Sequence, residues 1–362
     1  MFYNVVVNNE KQKVYVGLSG GVDSSVSALL LLRQGFDVEG VFIKTWQPDW
    51  TPCTWRQDRR DAMRVCAKLG IKYNELDLES VYKKEVADYM IAEYIQGRTP
   101  NPDVMCNRAV KFGGFLDWAL TKGADYVATG HYADVLDVEG MAVLGRGADP
   151  KKDQSYFLWT LNNEKLEKII FPIGGLEKSE VRKIAGQHGL VTADKKDSQG
   201  ICFLGEIDMQ DFLRHYIDEK PGDVLDENGE IIGRHEGAMF FTLGQRHGFV
   251  IDKKGTNDSP RYVVAKDVTN NTITVSENIK KQDKSRQVSL VNTNLLVAGV
   301  FFVGAELEAE IRYHGELQNC RIVGVGEDYL QVEFEQYDPT LSPGQSVVFY
   351  EGEVCLGGGV VK

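Results

Sequence analysis

The sequence contains no apolar run long enough to span a bilayer, and Met1-Phe2-Tyr3-Asn4 has neither the basic nor the apolar segment of a secretory leader. These absences predict a cytoplasmic protein without a membrane partner. Its six cysteines, at 53, 66, 106, 202, 320 and 355, form no C-x-x-C and no Cys/His pair at zinc-ligand spacing. The common zinc modules are thereby excluded, and no metal site is assigned. A disulfide framework is not expected in so large a cytosolic chain. Positive charge is also scarce, since 41 Lys and Arg stand against 53 Asp and Glu for a net charge of −12. That field repels phosphates at long range, so a nucleic-acid partner would need local basic patches and a specific fit. What remains is ordinary globular material, 362 residues with 43% hydrophobic and 26% charged, enough for two or three domains and without an internal repeat.

The chain is organised around Val14 to Ser25, V-Y-V-G-L-S-G-G-V-D-S-S. An apolar strand breaks into Ser19-Gly20-Gly21, and a helical pattern begins beyond Asp23-Ser24-Ser25. Paired glycines let backbone N–H groups turn inward, small hydroxyls add donors, and the helix presents its positive end, so an anion such as phosphate belongs there. The lysine of G-x-x-x-x-G-K-[ST] is missing, which excludes the usual kinase or GTPase cradle. The string S-G-G-x-D-S resembles instead the loop of ATP pyrophosphatases, which cut ATP between the α and β phosphates and adenylate a substrate oxygen.

Downstream, Asp37 to Lys44 reads as a strand, 58–69 as a helix with Ala62, Val65, Cys66 and Leu69 on one face, and 71–76 as a strand. A long helix is predicted over about 80–96, a stiff extended loop over Gly97 to Asp103 because of its two prolines, a helix near 107–122 and a strand at 125–129. Such alternation gives a parallel α/β sheet, and ligands of such sheets sit at the carboxyl ends of the strands. Gly130 and His131 should therefore share a rim with the Ser19 loop. A hairpin is expected around Glu139-Gly140 and helices at 177–188 and 208–216. Past Pro221-Gly222 helical periodicity gives way to short alternating strands. The expected domains are 1–220, a small central β-rich domain 221–285, and a C-terminal β-barrel 286–362.

Cys106 and Cys202 lie in stretches rich in Gly, Pro and polar residues and read as loop cysteines, as does Cys53, whereas Cys66, Cys320 and Cys355 sit in apolar patterns. Reactive thiols need partial exposure and a stabilised thiolate, so each loop cysteine taken singly is either structural or catalytic. Trp46, Trp50 and Trp55 read as packing, Lys195-Lys196 as a solvated face, and Arg312-Tyr313 either as cross-strand neighbours or as an RNA contact.

With these strings in place the chain resembles the tRNA-specific 2-thiouridylase family. The resemblance rests on S-G-G-V-D-S-S at 19–25, G-R-T-P-N-P-D-V-M-C-N at 97–107, A-T-G-H-Y-A at 128–133, K-D-Q-S-Y-F-L at 152–158, S-Q-G-I-C-F-L-G at 198–205 and L-G-Q-R-H-G at 243–248. It implies an adenine-nucleotide-hydrolase-like parallel-sheet domain followed by two β-rich domains, the last a β-barrel. It implies ATP in the loop Gly17, Leu18, Ser19, Gly20, Gly21, Val22, Asp23 and Ser24, with Ile43 and Gly130 near the adenosine. Asn101, Pro102 and Asp103 would meet the flipped wobble uridine, and His131, Lys152, Asp153, Gln154, Arg312, Tyr313 and Gln345 would contact the tRNA anticodon stem-loop.

In the chemistry so implied, the uracil C2 oxygen attacks the α-phosphorus of ATP while Asp103 takes the N3 proton, and Mg²⁺ arriving with ATP neutralises the phosphates, with Asp23 an indirect ligand. Cys202 carries a persulfide supplied by a sulfur-relay or cysteine-desulfurase donor protein, and Cys106 is its partner thiol, which attacks the persulfide and either frees sulfur or closes a transient disulfide. A monomer is expected. The alternative is another ATP pyrophosphatase-type synthetase acting on tRNA without sulfur transfer, which needs no paired cysteines.

Overall fold

The structure is a computed structural model in which residues 11–51, 55–196, 208–252, 259–278, 286–336, 338 and 340–362 are described. Its first unit comprises residues up to 83, then 104–205 and 353–355. It is built on five parallel strands, β1 Lys13–Gly17, β2 Asp37–Lys44, β3 Lys72–Asp77, β4 Tyr126–Ala128 and β7 Ile169–Ile170, in the order β3-β2-β1-β4-β7. The strand β1 lies at the centre because Val14, Tyr15 and Val16 can be buried on both faces, the near-continuous apolar run that a covered parallel sheet requires. The chain leaves β1 towards β2 on one side, while β4 lies on the other. The loop after β1 therefore emerges where the strand order reverses, the place where an open α/β sheet leaves a crevice at its carboxyl edge.

Helix α1, Val22–Arg33, buries Val26, Ala28, Leu29 and Leu31, while α2, Trp55–Leu69, buries Ala62, Val65 and Cys66. Of these, Ala28, Leu31, Ala62 and Cys66 close a core around β1 and β2 with Val14, Val16, Leu18, Val38 and Phe42, while Val26 and Leu29 pack in a second cluster with Val22, Tyr132, Ile173 and Val181. Burial of this apolar surface, at about 25 cal/mol per Å², holds the layers together. The hairpin β5 Ala133–Val138 and β6 Met141–Arg146 turns at Glu139-Gly140, both at positive φ, as a tight turn matched to strand twist demands.

Three expected elements differ from the sequence reading. The long helices are interrupted by π-helical segments at Lys83–Asp88 and Asn107–Phe115. The stretch with two prolines is not extended throughout. Pro102 opens a short helix, Pro102–Cys106, because a proline at the first helical position loses no hydrogen bond there. Cys106 is accordingly a buried helical residue and not a loop thiol.

The second unit comprises residues 84–103, 206–352 and 356–362. It holds a sheet of β8 Gly222–Leu225, β9 Ile231–His235, β10 Phe249–Ile251, β11 Tyr262–Asp267 and β12 Thr272–Ser276, in the order β10-β9-β8-β12-β11. It also holds β13 Gln287–Leu295, β14 Glu306–Glu310, β15 Gln318–Val325, β16 Tyr329–Phe334, β17 Ser346–Glu351 and, from residue 356 on, β18 Val354–Val361. These six run β13-β16-β15-β14-β17-β18 and close where β18 pairs with β13, a barrel without free edges. Its interior is filled by Leu290, Ala309, Ile322, Val332, Val348 and other fully buried side chains.

Lys266, on β11, is half-buried and donates to the Phe241 carbonyl at 2.6 Å. Burial pushes its ammonium down to about 8 from an ordinary 10.5. The unfolded chain then binds the proton more tightly than the folded one, so the site opposes folding below pH 8 and its cost vanishes as pH rises through 10.5. Chemical unfolding of Lys266→Met is expected to lack the part of the wild-type gain in stability between pH 8 and 10.5 that this lysine contributes, on the order of 3 kcal/mol.

Candidate functional site

The loop after β1 is shaped by its serines. Ser24 Oγ lies 3.2 Å from both the Ser19 amide and the Ser19 hydroxyl, and Ser19 Oγ accepts from the Gly21 amide. Ser25 and Ser27 turn back to donate to the Gly21 and Asp23 carbonyls. Their hydroxyls are thus satisfied by the helix's own backbone, and Thr192 Oγ1 donates to Ser25 Oγ besides. Gly20 has φ +74° and lies so close to the Asp58 carbonyl that a Cβ would stand 2.4 Å from it, so only glycine fits. Gly21 precedes α1 in extended conformation, and no described side chain caps the helix, whose first amides are left to point into the loop.

The remaining nucleotide candidates converge here. Leu18 N–H donates to the Val41 carbonyl, which ties the loop to β2. A Cβ on Gly17 would contact Ile43 Cδ1 at 3.7 Å, and one on Gly130 would stand 2.5 Å from Ser24 N and 2.8 Å from Asp23 C. Gly17 to Ser24, Ile43 and Gly130 therefore share one end of the sheet. Close packing at Gly130 leaves room for backbone only.

Two cations that the sequence reading did not place complete the loop. Lys178, at the start of the helix Lys178–Gln187, donates to both carboxylate oxygens of Asp23 at 2.7 and 2.8 Å, and the Tyr132 hydroxyl donates to the same carboxylate at 2.8 Å. Lys195 donates to the Gly20 carbonyl, Asp58 and Asp61 at 2.8–2.9 Å. Burial opposes the charge on Lys195, but the two carboxylates outweigh it and hold the ammonium above its ordinary range. Lys195 is thus a strut of the loop and not a solvated face. No local pattern could have revealed either lysine, because their partners are 155 and 134–175 residues away.

The polymer-contact candidates divide. His131 is buried among Phe112 and Phe171, with Nδ1 2.7 Å from the Thr129 hydroxyl and Nε2 3.2 Å from Lys111 Nζ. Burial, assisted by Lys111, holds it well below its usual range and hence neutral. Its ring faces the protein interior. Asp153 is likewise buried and accepts from Gly147 N, Ser155 N, the Ser155 hydroxyl and Arg146. Gln154 clasps Tyr132 through both its backbone amide and its side-chain oxygen, so of this trio Lys152 and Gln154 keep some exposure.

In the second unit Asn101 Oδ1 accepts from the Asp103 amide and so caps the short helix that Pro102 opens. Arg312 is exposed and Tyr313 half-buried, stacked on His314, in the turn between β14 and β15 rather than as cross-strand neighbours. Gln345 closes a turn by accepting from Ser342 N. Trp46 and Trp55 lie against Lys83 and Lys44, while Trp50 is exposed. Cys202 and Cys53 fall outside the described residues. Among the described residues no cluster of three His, Cys, Asp or Glu side chains could hold a metal ion.

Gly130→Ala should weaken binding of a non-hydrolysable ATP analogue by at least about tenfold in calorimetric titration, whereas Gly175→Ala, where a Cβ meets nothing within 4 Å, should not. Lys178→Met should weaken it similarly, and adding Asp23→Asn should recover part of the loss, since the second change removes the carboxylate left uncompensated.

Family models described as a tRNA methyl transferase HUP domain, a tRNA methyl transferase PRC-barrel domain and an aminomethyltransferase β-barrel domain match residues 12–206, 210–277 and 303–361. The tRNA-specific 2-thiouridylase MnmA of Pseudomonas fluorescens (strain SBW25) is 45% identical over 98% of this chain and 96% of its own length. That of Stutzerimonas stutzeri (strain A1501) is 47% identical over 98% and 95%. Among solved structures, the U34-tRNA thiolase NcsA from Methanococcus maripaludis aligns with 19% identity and a TM-score of 0.36 over 55% of this chain and 63% of that one. With full-length identity of this order and three matching domain models in sequence, the chain belongs to the tRNA-specific 2-thiouridylase family.

Proposed function

We propose that this protein is a tRNA-uridine 2-sulfurtransferase that thiolates the wobble uridine of tRNA at the expense of ATP. The observation that carries the reading is the loop 19–25, an anion site built without a Walker lysine, in a chain 45% identical over nearly its full length to proteins named tRNA-specific 2-thiouridylases. Gly17 to Ser24 hold the phosphates and Ile43 and Gly130 flank the adenosine. Lys178 neutralises Asp23 so that the loop can accept a polyanion. Mg²⁺ accompanying ATP would offset further phosphate charge, and Asp23, whose oxygens Lys178 and Tyr132 hold, would reach it only indirectly.

Asn101, Pro102 and Asp103 receive the flipped uracil. Asp103 takes the N3 proton, the C2 oxygen gains charge and attacks the α-phosphorus, and pyrophosphate leaves. The resulting adenylate makes AMP the leaving group at C2. Cys202 carries the persulfide from a donor protein; its outer sulfur bonds to C2 as AMP departs, and the Cys106 thiolate attacks Cys202 Sγ. The thiocarbonyl is thereby released, a Cys106–Cys202 disulfide forms, and an external thiol reductant reopens it. Lys152, Gln154, Arg312, Tyr313 and Gln345 contact the anticodon stem-loop, while His131 and Asp153 support those contacts from inside the fold. The protein acts as a cytoplasmic monomer.

Incubation with ATP, a persulfide donor, a thiol reductant and bulk tRNA should yield 2-thiouridine by mass spectrometry. Cys106→Ser and Cys202→Ser should each abolish it while tRNA-dependent pyrophosphate release persists, and Asp103→Asn should lower both by about 100-fold or more. Full product formation by either serine variant would remove sulfur transfer through these thiols.

A further inference from the structure

The string L-G-Q-R-H-G at 243–248 has no part in the chemistry above, yet it forms one of the most internally braced turns in the second unit. Gln245 bridges it: its side-chain oxygen accepts from Thr242 N at 3.1 Å, its side-chain nitrogen donates to the His247 carbonyl at 2.9 Å, and its backbone amide returns to the Thr242 carbonyl at 3.1 Å. Gly244 N–H and the Gln245 carbonyl both pair with Val263 at 2.8 Å, which fixes the turn to β11.

The braced residue Thr242 meets the base-facing loop. Its hydroxyl lies 3.1 Å from that of Thr99. Thr99 N–H donates to the Pro343 carbonyl at 2.7 Å, and Gly344 packs so tightly that a Cβ would stand 3.0 Å from the Thr99 backbone. Two residues beyond Thr99 the chain enters Asn101-Pro102-Asp103.

At the other end of the turn Arg246 is exposed, and no carboxylate among the described residues pairs with it. By contrast Arg59, Arg64, Arg98, Arg146, Arg214, Arg261 and Arg321 hold carboxylates. A guanidinium left unpaired on a preorganised turn loses little entropy when it binds a phosphate. Four residues reach at most about 14 Å, so Arg246 is held within a few nucleotides' span of the loop that Thr242 anchors.

We propose that the Thr242–Gly248 turn is an RNA-backbone site in which Arg246 binds a tRNA phosphate and Thr242, through Thr99, positions the Asn101–Asp103 loop relative to that phosphate. Arg246 supplies affinity, and Thr242 is a positioning residue that converts bound RNA into an aligned base. The inference rests on the tRNA thiolation reading and deepens it.

The test compares full-length variants for tRNA affinity across salt concentrations and for the kcat and KM of thiolation. Arg246→Gln should weaken tRNA binding about three- to tenfold and lower the slope of log K against log salt by about 0.7–1, the signature of one lost phosphate contact. Arg321→Gln, which changes net charge equally, should leave the slope unchanged. Thr242→Val should lower kcat about tenfold at unchanged tRNA affinity, and Thr242→Ser, which keeps the hydroxyl, should restore it. An unchanged slope in Arg246→Gln, or an equal loss in Arg321→Gln, overturns the phosphate site. Unchanged kcat in Thr242→Val, or a loss shared by Thr242→Ser, overturns the positioning role. Wild-type protein that forms no 2-thiouridine overturns the functional reading itself, whereas active wild type with unaffected variants overturns this inference alone.

Discussion

The ion pair between Asp23 and Lys178 is the interaction on which the proposed nucleotide site depends. A loop shaped to receive phosphate carries a carboxylate in the first turn of its helix, where a negative charge suits the helix dipole but repels an incoming polyanion. Left bare within about 5 Å of a phosphate, that carboxylate would cost on the order of 3 kcal/mol at an effective dielectric of 20. Lys178 and Tyr132 take up its oxygens, so the inward-pointing amides of the loop set the sign of the local field. The pair is partly exposed, so its worth lies less in stability than in the charge it leaves to the site.

Around that pair the first unit is arranged for rigidity. Lys195 ties the Gly20 carbonyl to Asp58 and Asp61 on α2, Thr192 reaches Ser25, and Gly130 lies flat against Ser24. Each contact constrains the loop from a different element, which fixes the donors before a ligand arrives. Preorganised donors of this kind need no reorganisation when charge develops on a phosphate oxygen.

In the proposed function the second unit has a different task, the placement of a base. The segment 84–103 lies between strands of the parallel sheet in sequence but belongs with the β-rich unit in space. Thr99 is held from Thr242 in the loop before β10 and from Pro343 beside the barrel strand β17, so the loop that follows is set from both β-rich parts of the unit. Gln345 closes the turn beside Pro343 through Ser342. Residues read from the sequence as separate RNA contacts are thus parts of one framework.

The local features could be read directly from the chain. The strand, glycine turn and helix of 14–33, the hairpin at Glu139-Gly140 and the change to β structure past Pro221 all depend on propensities and turn chemistry acting over a few residues. The family strings are equally local. Tertiary structure decided everything that depends on distant partners. It brought Lys178 and Tyr132 to Asp23 and Lys195 to Gly20, turned His131 and Asp153 inward, buried Cys106 on a helix begun by Pro102, and joined Thr99 to Thr242. Backbone preference is encoded locally, but charge compensation and burial depend on which residues share space, and only the folded chain defines that.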